Sequence, residues 1–277
     1  HLLMPPHALL QRRCIGKTVR TWWLGFSLLA SGLAQAALPI QHWTQPSGAK
    51  VYLVESHAIP MVDVQIDLDA GARRDPPLQA GLASVMAGQI ASGTRAHPKA
   101  QGPYAAAMDE NRIGEAWADL GANFVATAGA DRLSFSLRSL SAPDVLEQAV
   151  ALAARQMAHP AFPEAIWLRD RERMNASLRE SLTKPGTVVQ QRFAAAVYGD
   201  HPYGVRVTPE SLARIGVPDL QALHAQALRT CRASVSVVGA LTRAQTDDLV
   251  RRLLALWPSD ARCQALPPVA EVAPLAA

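Results

Sequence analysis

From Met61 to Asp69 apolar and polar residues alternate, which predicts a strand with one buried face. Residues 49–55 (Ala-Lys-Val-Tyr-Leu-Val-Glu) read as a strand before it, and Pro60 and Gly71 punctuate the pair. The period then changes. Leu82, Val85, Met86 and Ile90 recur at helical spacing and predict a helix over about 79–92, followed by a Gly/Pro/Ser-containing loop over 93–103. A second helix is expected over about 104–119, ending at Gly121. Strands follow near 122–129 and 132–139, turning at Ala130-Asp131, with Leu133, Phe135 and Leu137 alternating inward.

Beyond them, Ser141 and Asp144 read as the cap and third position of a helix running to Ala158, stopped by His159-Pro160. A long helix spans about 163–182, and Lys184-Pro185-Gly186 separates it from one over 187–198. Short helices near 208–214 and 218–228, a strand over 233–239 and a helix over about 242–256 complete the pattern. This order predicts an α+β fold, a mixed, mainly antiparallel sheet covered by helices.

The first residues need separate treatment. Arg12, Arg13, Lys17 and Arg20 precede an apolar block from Thr21 to Ala30, and Ala34-Gln35-Ala36 closes it. That is the layout of a secretory signal peptide over residues 1–36, and the block is short for a stable membrane anchor. Met4 is a plausible start, and a periplasmic or secreted location follows. The segment also explains the formal charge of +4: without its four basic residues, 23 Lys+Arg face 23 Asp+Glu. No basic stripe interleaved with aromatics remains, so nucleic-acid binding has little support. Cys231 and Cys263 lie beyond this segment. An oxidising compartment permits their pairing, but spacing does not establish it.

The run Ala70-Gly71-Ala72-Arg73-Arg74-Asp75, and then Gly81-Leu82-Ala83-Ser84-Val85-Met86-Ala87-Gly88, resembles the opening of the pitrilysin-type zinc peptidases, the inverzincins. There a strand and turn lead into Gly-Leu-Ala-His-x-x-Glu-His. In this chain Ser84 stands at the first zinc-binding His, Ala87 at the water-activating Glu and Gly88 at the second His. The likeness continues through Leu120 to Thr127, Asp131 to Phe135, Phe162-Pro163-Glu164 with Arg171-Glu172-Arg173, and the turn from Val197 to Gly204. Gly239 matches too, although Ala240 stands where Asp is usual. The resemblance covers about residues 42–258 and implies a single pitrilysin-type lobe over 37–258, with the Pro/Ala-rich stretch 259–277 as a linker towards a second lobe that this chain does not contain.

Family resemblance therefore implies zinc, while the residues present imply no metal and no catalytic group: side chains of Ser, Ala and Gly provide almost no lone pairs for the ion. The third ligand of the family is a Glu on the long downstream helix. Glu172 and Glu180 fall there, and a solvated face or a salt bridge to Arg169, Arg173 or Arg179 is their expected use. His42, His57, His97, His159, His201 and His224 include no pair three or four apart on a helix, and His201 is expected to hydrogen-bond to backbone. Asp109 and Glu110 point apart on a helix and make a poor acid/base pair. Ser84 lacks a neighbouring base, and no phosphate-binding glycine loop occurs.

The segment Asn123, Phe124, Val125, Ala126 and Thr127 matches the family strand whose edge receives a peptide as an added strand, the alternative being an ordinary sheet strand. The expected function is an exported, non-catalytic subunit that pairs with an active pitrilysin-type peptidase and helps bind peptide or unfolded polypeptide. Two alternatives are an active zinc endopeptidase with rearranged ligands and a stand-alone peptide-binding module.

Overall fold

A computed structural model describes residues 39–97, 104–259, 263–269 and 271. The proposed signal peptide lies outside the described residues. From Ile40 onward they belong to one compact unit.

Alternation sets the architecture. Strands β1 (Ile40–Thr44), β2 (Lys50–Glu55), β3 (Met61–Leu68), β6 (Asn123–Ala128), β7 (Leu133–Leu140) and β8 (Ser234–Gly239) form a sheet in the order β1-β2-β8-β3-β7-β6. Every pairing is antiparallel except that of β2 with β8. One face of the sheet buries Val51 and Leu53, Val62, Val64, Ile66 and Leu68, Leu133, Phe135 and Leu137, and Val235 and Val237. Burying a side chain of this size contributes about 1.5–3 kcal/mol, so this face holds the sheet to its helices. The other face is polar. The register lines up Tyr52, Ser236, Gln65, Ser136 and Val125 in one row, and Lys50, Ser234, Asp67, Ser134 and Thr127 in the next.

Helices α1 (Leu82–Gln89), α2 (Glu110–Leu120), α3 (Pro143–Ala158), α4 (Glu164–Ser181), α5 (Pro185–Tyr198), α6 (Pro209–Ala213), α7 (Val217–Ala227) and α8 (Arg243–Leu253) complete the fold. Two residue pairs, β4 (Gly93–Thr94) and β5 (Met108–Asp109), make a small second sheet. α3 inserts Ala149, Val150, Leu152, Ala153 and Met157 into the core. An aromatic series runs through it: Trp117 stacks on Phe124, Phe124 on Phe135, and Phe135 meets Trp257 edge-on, with centroids 5.7, 6.1 and 6.0 Å apart.

Several boundaries differ from expectation, each for a local reason. β1 was not anticipated; it is held by its pairing with β2 and by Trp43 Nε1, which donates to Asp247 at 2.6 Å. The second helix starts at Glu110 rather than 104, because Met108 and Asp109 pair with β4 and the Asp109 carboxylate then caps the helix by accepting from Arg112 N–H. Ser141 is not a cap: Ala142 holds that position, and Pro143, which has no N–H to satisfy, opens α3. Pro185 likewise opens α5 instead of breaking the chain before it.

Cys231 and Cys263 form a disulfide with Cα atoms 5.7 Å apart. Part of the expected linker, residues 263–269, is thereby drawn back against the sheet.

Candidate functional site

Helix α1 is where the chemistry should be, and its N-terminus is built with care. The chain leaves β3 through Gly71, where an added Cβ would lie 2.4 Å from the backbone of Asp131 and Arg132, so only glycine fits beneath the β6–β7 turn. Asp75 then reaches forward to cap α1, accepting from Gly81 N–H at 2.9 Å and Ala83 N–H at 3.0 Å. Burial pushes the Asp75 carboxyl up to about 6, against the opposite pull of the helix N–H donors.

Sequence spacing suggested one apolar face on α1, but the helix is buried on nearly every side. Leu82, Ala83, Val85, Met86, Ala87 and Gln89 are all buried, leaving Ser84 and Gly88 as the exposed residues. These two are one turn apart and share a face. A Cβ on Gly88 would meet nothing within 4 Å, and Ser84 Oγ makes only a long 3.5 Å contact with Ala128 O at the end of β6. Ala87, at 2% exposure, faces the core. The open stripe of α1 therefore presents a hydroxyl and a hydrogen.

Other candidate ligands do not converge on that stripe. Glu172 is 69% exposed with Arg171 at 4.0 Å, and Glu180 is 70% exposed and pairs with Lys184 at 3.0 Å. Both therefore lie on a solvated face, one of the two expected uses, and the arginines have other partners: Arg169 holds Glu110 in a two-pronged pair at 2.8 and 3.0 Å, while Arg169 and Arg173 both pair with Asp170. Gln89 Nε2 also donates to Asp170, at 2.8 Å, so α1, α2 and α4 are tied by a Gln89–Asp170–Arg169–Glu110 network. No spacing rule links those four residues, and only the packing of three helices brings them together. Among the described residues, no group of three or more His, Cys, Asp and Glu stands together as a metal site.

The histidines have local uses. His201 Nδ1 accepts Tyr203 N–H at 3.1 Å, the backbone role expected of it. His224 Nε2 lies 2.7 Å from Met157 O, and His57 lies 2.9 Å from Glu55. The His97 and His159 rings meet edge to face with centroids 4.8 Å apart, a pairing that sequence separation hid. Burial, with Arg155 nearby, holds His159 down to about 4.

Beside α1 runs β6, an edge strand whose outer side has no strand partner among the described residues. Asn123, Val125 and Thr127 turn to the polar face of the sheet, Val125 being 44% exposed, while Phe124 and Ala126 are half-buried against the core. Next to it the polar face holds a shallow cavity of about 420 Å³, lined by Gln65, Asn123, Val125, Ser136 and the Asp63–Arg138 ion pair.

The turns around α1 form a second network. Arg74 grips Asp69 at 2.8 and 2.6 Å, Arg73 bridges Asp69 and Asp131, and Tyr203 O–H donates to Asp131 at 2.6 Å. Hydrogen bonding to Arg74, with Arg73 adding to it, holds the Asp69 carboxyl down to about 2. Three sequence motifs far apart in the chain are thus parts of one structure.

No known family's sequence model matches the chain, and no curated protein matches it. Solved structures do. A peptidase M16 inactive domain from Pseudomonas fluorescens aligns with a TM-score of 0.76 at 28% identity, over 85% of this chain and 54% of that one. The fold is that of a pitrilysin-type peptidase lobe. The first half of the periplasmic protease PqqL from Escherichia coli aligns at 0.68 with 15% identity, over 86% of this chain and 51% of that one. Pitrilysin aligns at 0.64 with 20% identity, over 86% of this chain and 25% of its own. The pitrilysin-type lobe described here thus spans about half, or a quarter, of the chains it resembles. Among its described residues no helix is long and apolar enough to cross a membrane. The zinc that a pitrilysin-type scaffold implies does not suit the residues present, because the exposed face of α1 holds no imidazole or carboxylate.

Proposed function

We propose that this chain is an exported, non-catalytic pitrilysin-type subunit that pairs with an active, zinc-bearing peptidase of the same type and helps hold its peptide substrate. The observation that carries this reading is the contrast within α1: a fully packed and capped helix whose two exposed positions are Ser84 and Gly88. No step of hydrolysis is assigned to them, since among the described residues Ser84 bonds only to Ala128 O and no group of His, Cys, Asp and Glu stands together to hold a metal. The likeness to a domain described as inactive supports the same conclusion.

Peptide holding is assigned to β6. Its outer edge, which has no strand partner among the described residues, passes the exposed stripe of α1, and a peptide added there gains main-chain hydrogen bonds that need no particular side chain. The partner is a pitrilysin-type chain bearing His-x-x-Glu-His, consistent with the greater length of the structural neighbours. Residues 37–258 are the lobe, preceded by a signal peptide over 1–36 that directs it to the periplasm or medium, and followed by a linker.

Co-expression with a zinc-bearing homologue from the same source tests the pairing. A shared size-exclusion peak, with faster peptide hydrolysis than the homologue alone, is expected. Two independent monomer peaks at micromolar concentration would remove the pairing. Peptide affinity of the isolated chain would then favour the stand-alone binding module.

A further inference from the structure

Residues 263–269 are attached to the lobe in an unusual way. None of their side chains is fully buried, and two hydrogen bonds hold the backbone: Arg232 Nη2 donates to Gln264 O at 3.2 Å and Arg74 Nη1 to Pro267 O at 2.9 Å. Both bonds are exposed, and such contacts are too weak to offset the entropy of ordering seven residues. Leu266 and Val269 are half-buried, and the one covalent cross-link among the described residues is the Cys231–Cys263 disulfide.

Its two ends differ in burial. Cys231 sits in a turn packed on the core, where Thr230 Oγ1 donates to Ser47 O and Gly48 approaches so closely that a Cβ there would lie 2.9 Å from Cys231 Cα. Gly48 also has φ of +87°, which suits glycine. Cys263 is exposed at the start of the strap. Leu266, Pro267 and Pro268 wall one side of a cavity of about 470 Å³ whose other side is Lys50, Tyr52 and Ser234. Those three residues belong to the same polar face that carries Val125 and the β6 edge.

We propose that Cys231–Cys263 is a thiol–disulfide exchange site: the bond clamps the 263–269 strap over the Lys50/Tyr52 corner of the polar face, and its reduction uncovers that corner. An external dithiol supplies the electrons. Its thiolate attacks Cys263 Sγ, the S–S bond breaks, and Cys231 leaves as a thiolate that takes up a proton. The second thiol of the reductant then attacks the mixed disulfide, releasing Cys263 as a thiol and closing the reductant's own disulfide. Two electrons and two protons pass to the protein, and a disulfide oxidant runs the same steps in reverse. This goes beyond the pairing and peptide-holding reading and does not depend on it.

The full chain purified without reductant tests the proposal. Non-reducing peptide mapping should find Cys231 linked to Cys263. Digestion with a protease that cuts after small residues should then cleave within 264–269 on the order of tenfold faster after dithiothreitol and thiol alkylation, while cleavage within 40–97 and 104–258 stays slow. Cys231→Ser should match the reduced protein without dithiothreitol; should that variant not fold, the reduced and alkylated wild type carries the comparison. Absence of the linked peptide, equal cleavage rates in the two states, or equal acceleration throughout 40–97 and 104–258 would each overturn it.

Discussion

The exposed stripe of α1 and the turns that surround it lie side by side, yet neighbours constrain them very differently. Around the turns almost every group is committed: Gly71 has no room for a methyl, Asp69 is shared by Arg73 and Arg74, and Tyr203 closes on Asp131. On α1, Ser84 and Gly88 touch almost nothing. Residues that build the lobe are fixed by packing, whereas residues that would carry zinc chemistry are fixed only by a ligand. Under the proposed reading, loss of the chemistry leaves the fold intact, because the packing of the lobe does not depend on what the exposed stripe of α1 carries.

Substitutions at the two regions should separate accordingly. Gly71→Ala has the largest expected effect, because backbone atoms at 2.4 Å cannot yield to a methyl. A loss of about 3–5 kcal/mol in urea unfolding, or failure to fold, is expected. A loss below about 1 kcal/mol would show that the turn is looser than described.

Asp75 comes next. Its pKa is raised to about 6, so the stability it contributes is fully present below the unfolded carboxyl value near 4 and is lost as pH rises through 6. Asp75→Asn should flatten the stability profile over that window by roughly 1–2 kcal/mol, read from unfolding midpoints between pH 4 and 7. Asp69 has the opposite sign: its pKa is lowered to about 2, so its contribution is present above the unfolded value and disappears as pH falls from about 4 through 2. Asp69 is partly exposed, and Asp69→Asn should cost about 1 kcal/mol at pH 7 and almost nothing at pH 2. An equal cost at both pH values would show that packing, not charge, is what Asp69 supplies.

The smallest effect belongs to α1. Gly88→Ala should raise stability by about 0.5–1 kcal/mol, since the site is open and glycine is a poor helix former. A destabilisation would mean that something covers this stripe in solution.

The sequence made much of this readable, unevenly. Strands β3 and β7 were plain because their inward residues alternate without a break and are all buried. The order of the turn and helix around Ser84, Ala87 and Gly88 is legible in the sequence, and the structure places Ser84 and Gly88 on the exposed stripe of α1 and Ala87 in the core. β1 was not, since five residues mixing Ile, Gln, His and Trp become a strand only when β2 is beside them. For Glu172 and Glu180 the solvated face holds and the arginine pairs do not, because Arg169 and Arg173 are taken by Asp170 and by Glu110 from another helix. The Cys231–Cys263 bond was likewise open, because a separation of 32 residues says nothing about distance in space. Local pattern reveals local structure, and networks between helices appear only after folding.

The account turns on whether an α1 bearing Ser84 and Gly88 can hold a catalytic metal. Metal analysis of the purified chain alongside a chelator-controlled peptidase assay decides it most directly. No stoichiometric zinc and no chelator-sensitive hydrolysis by the chain alone are expected. One zinc per chain, with hydrolysis lost on chelation and restored by zinc, would contradict it.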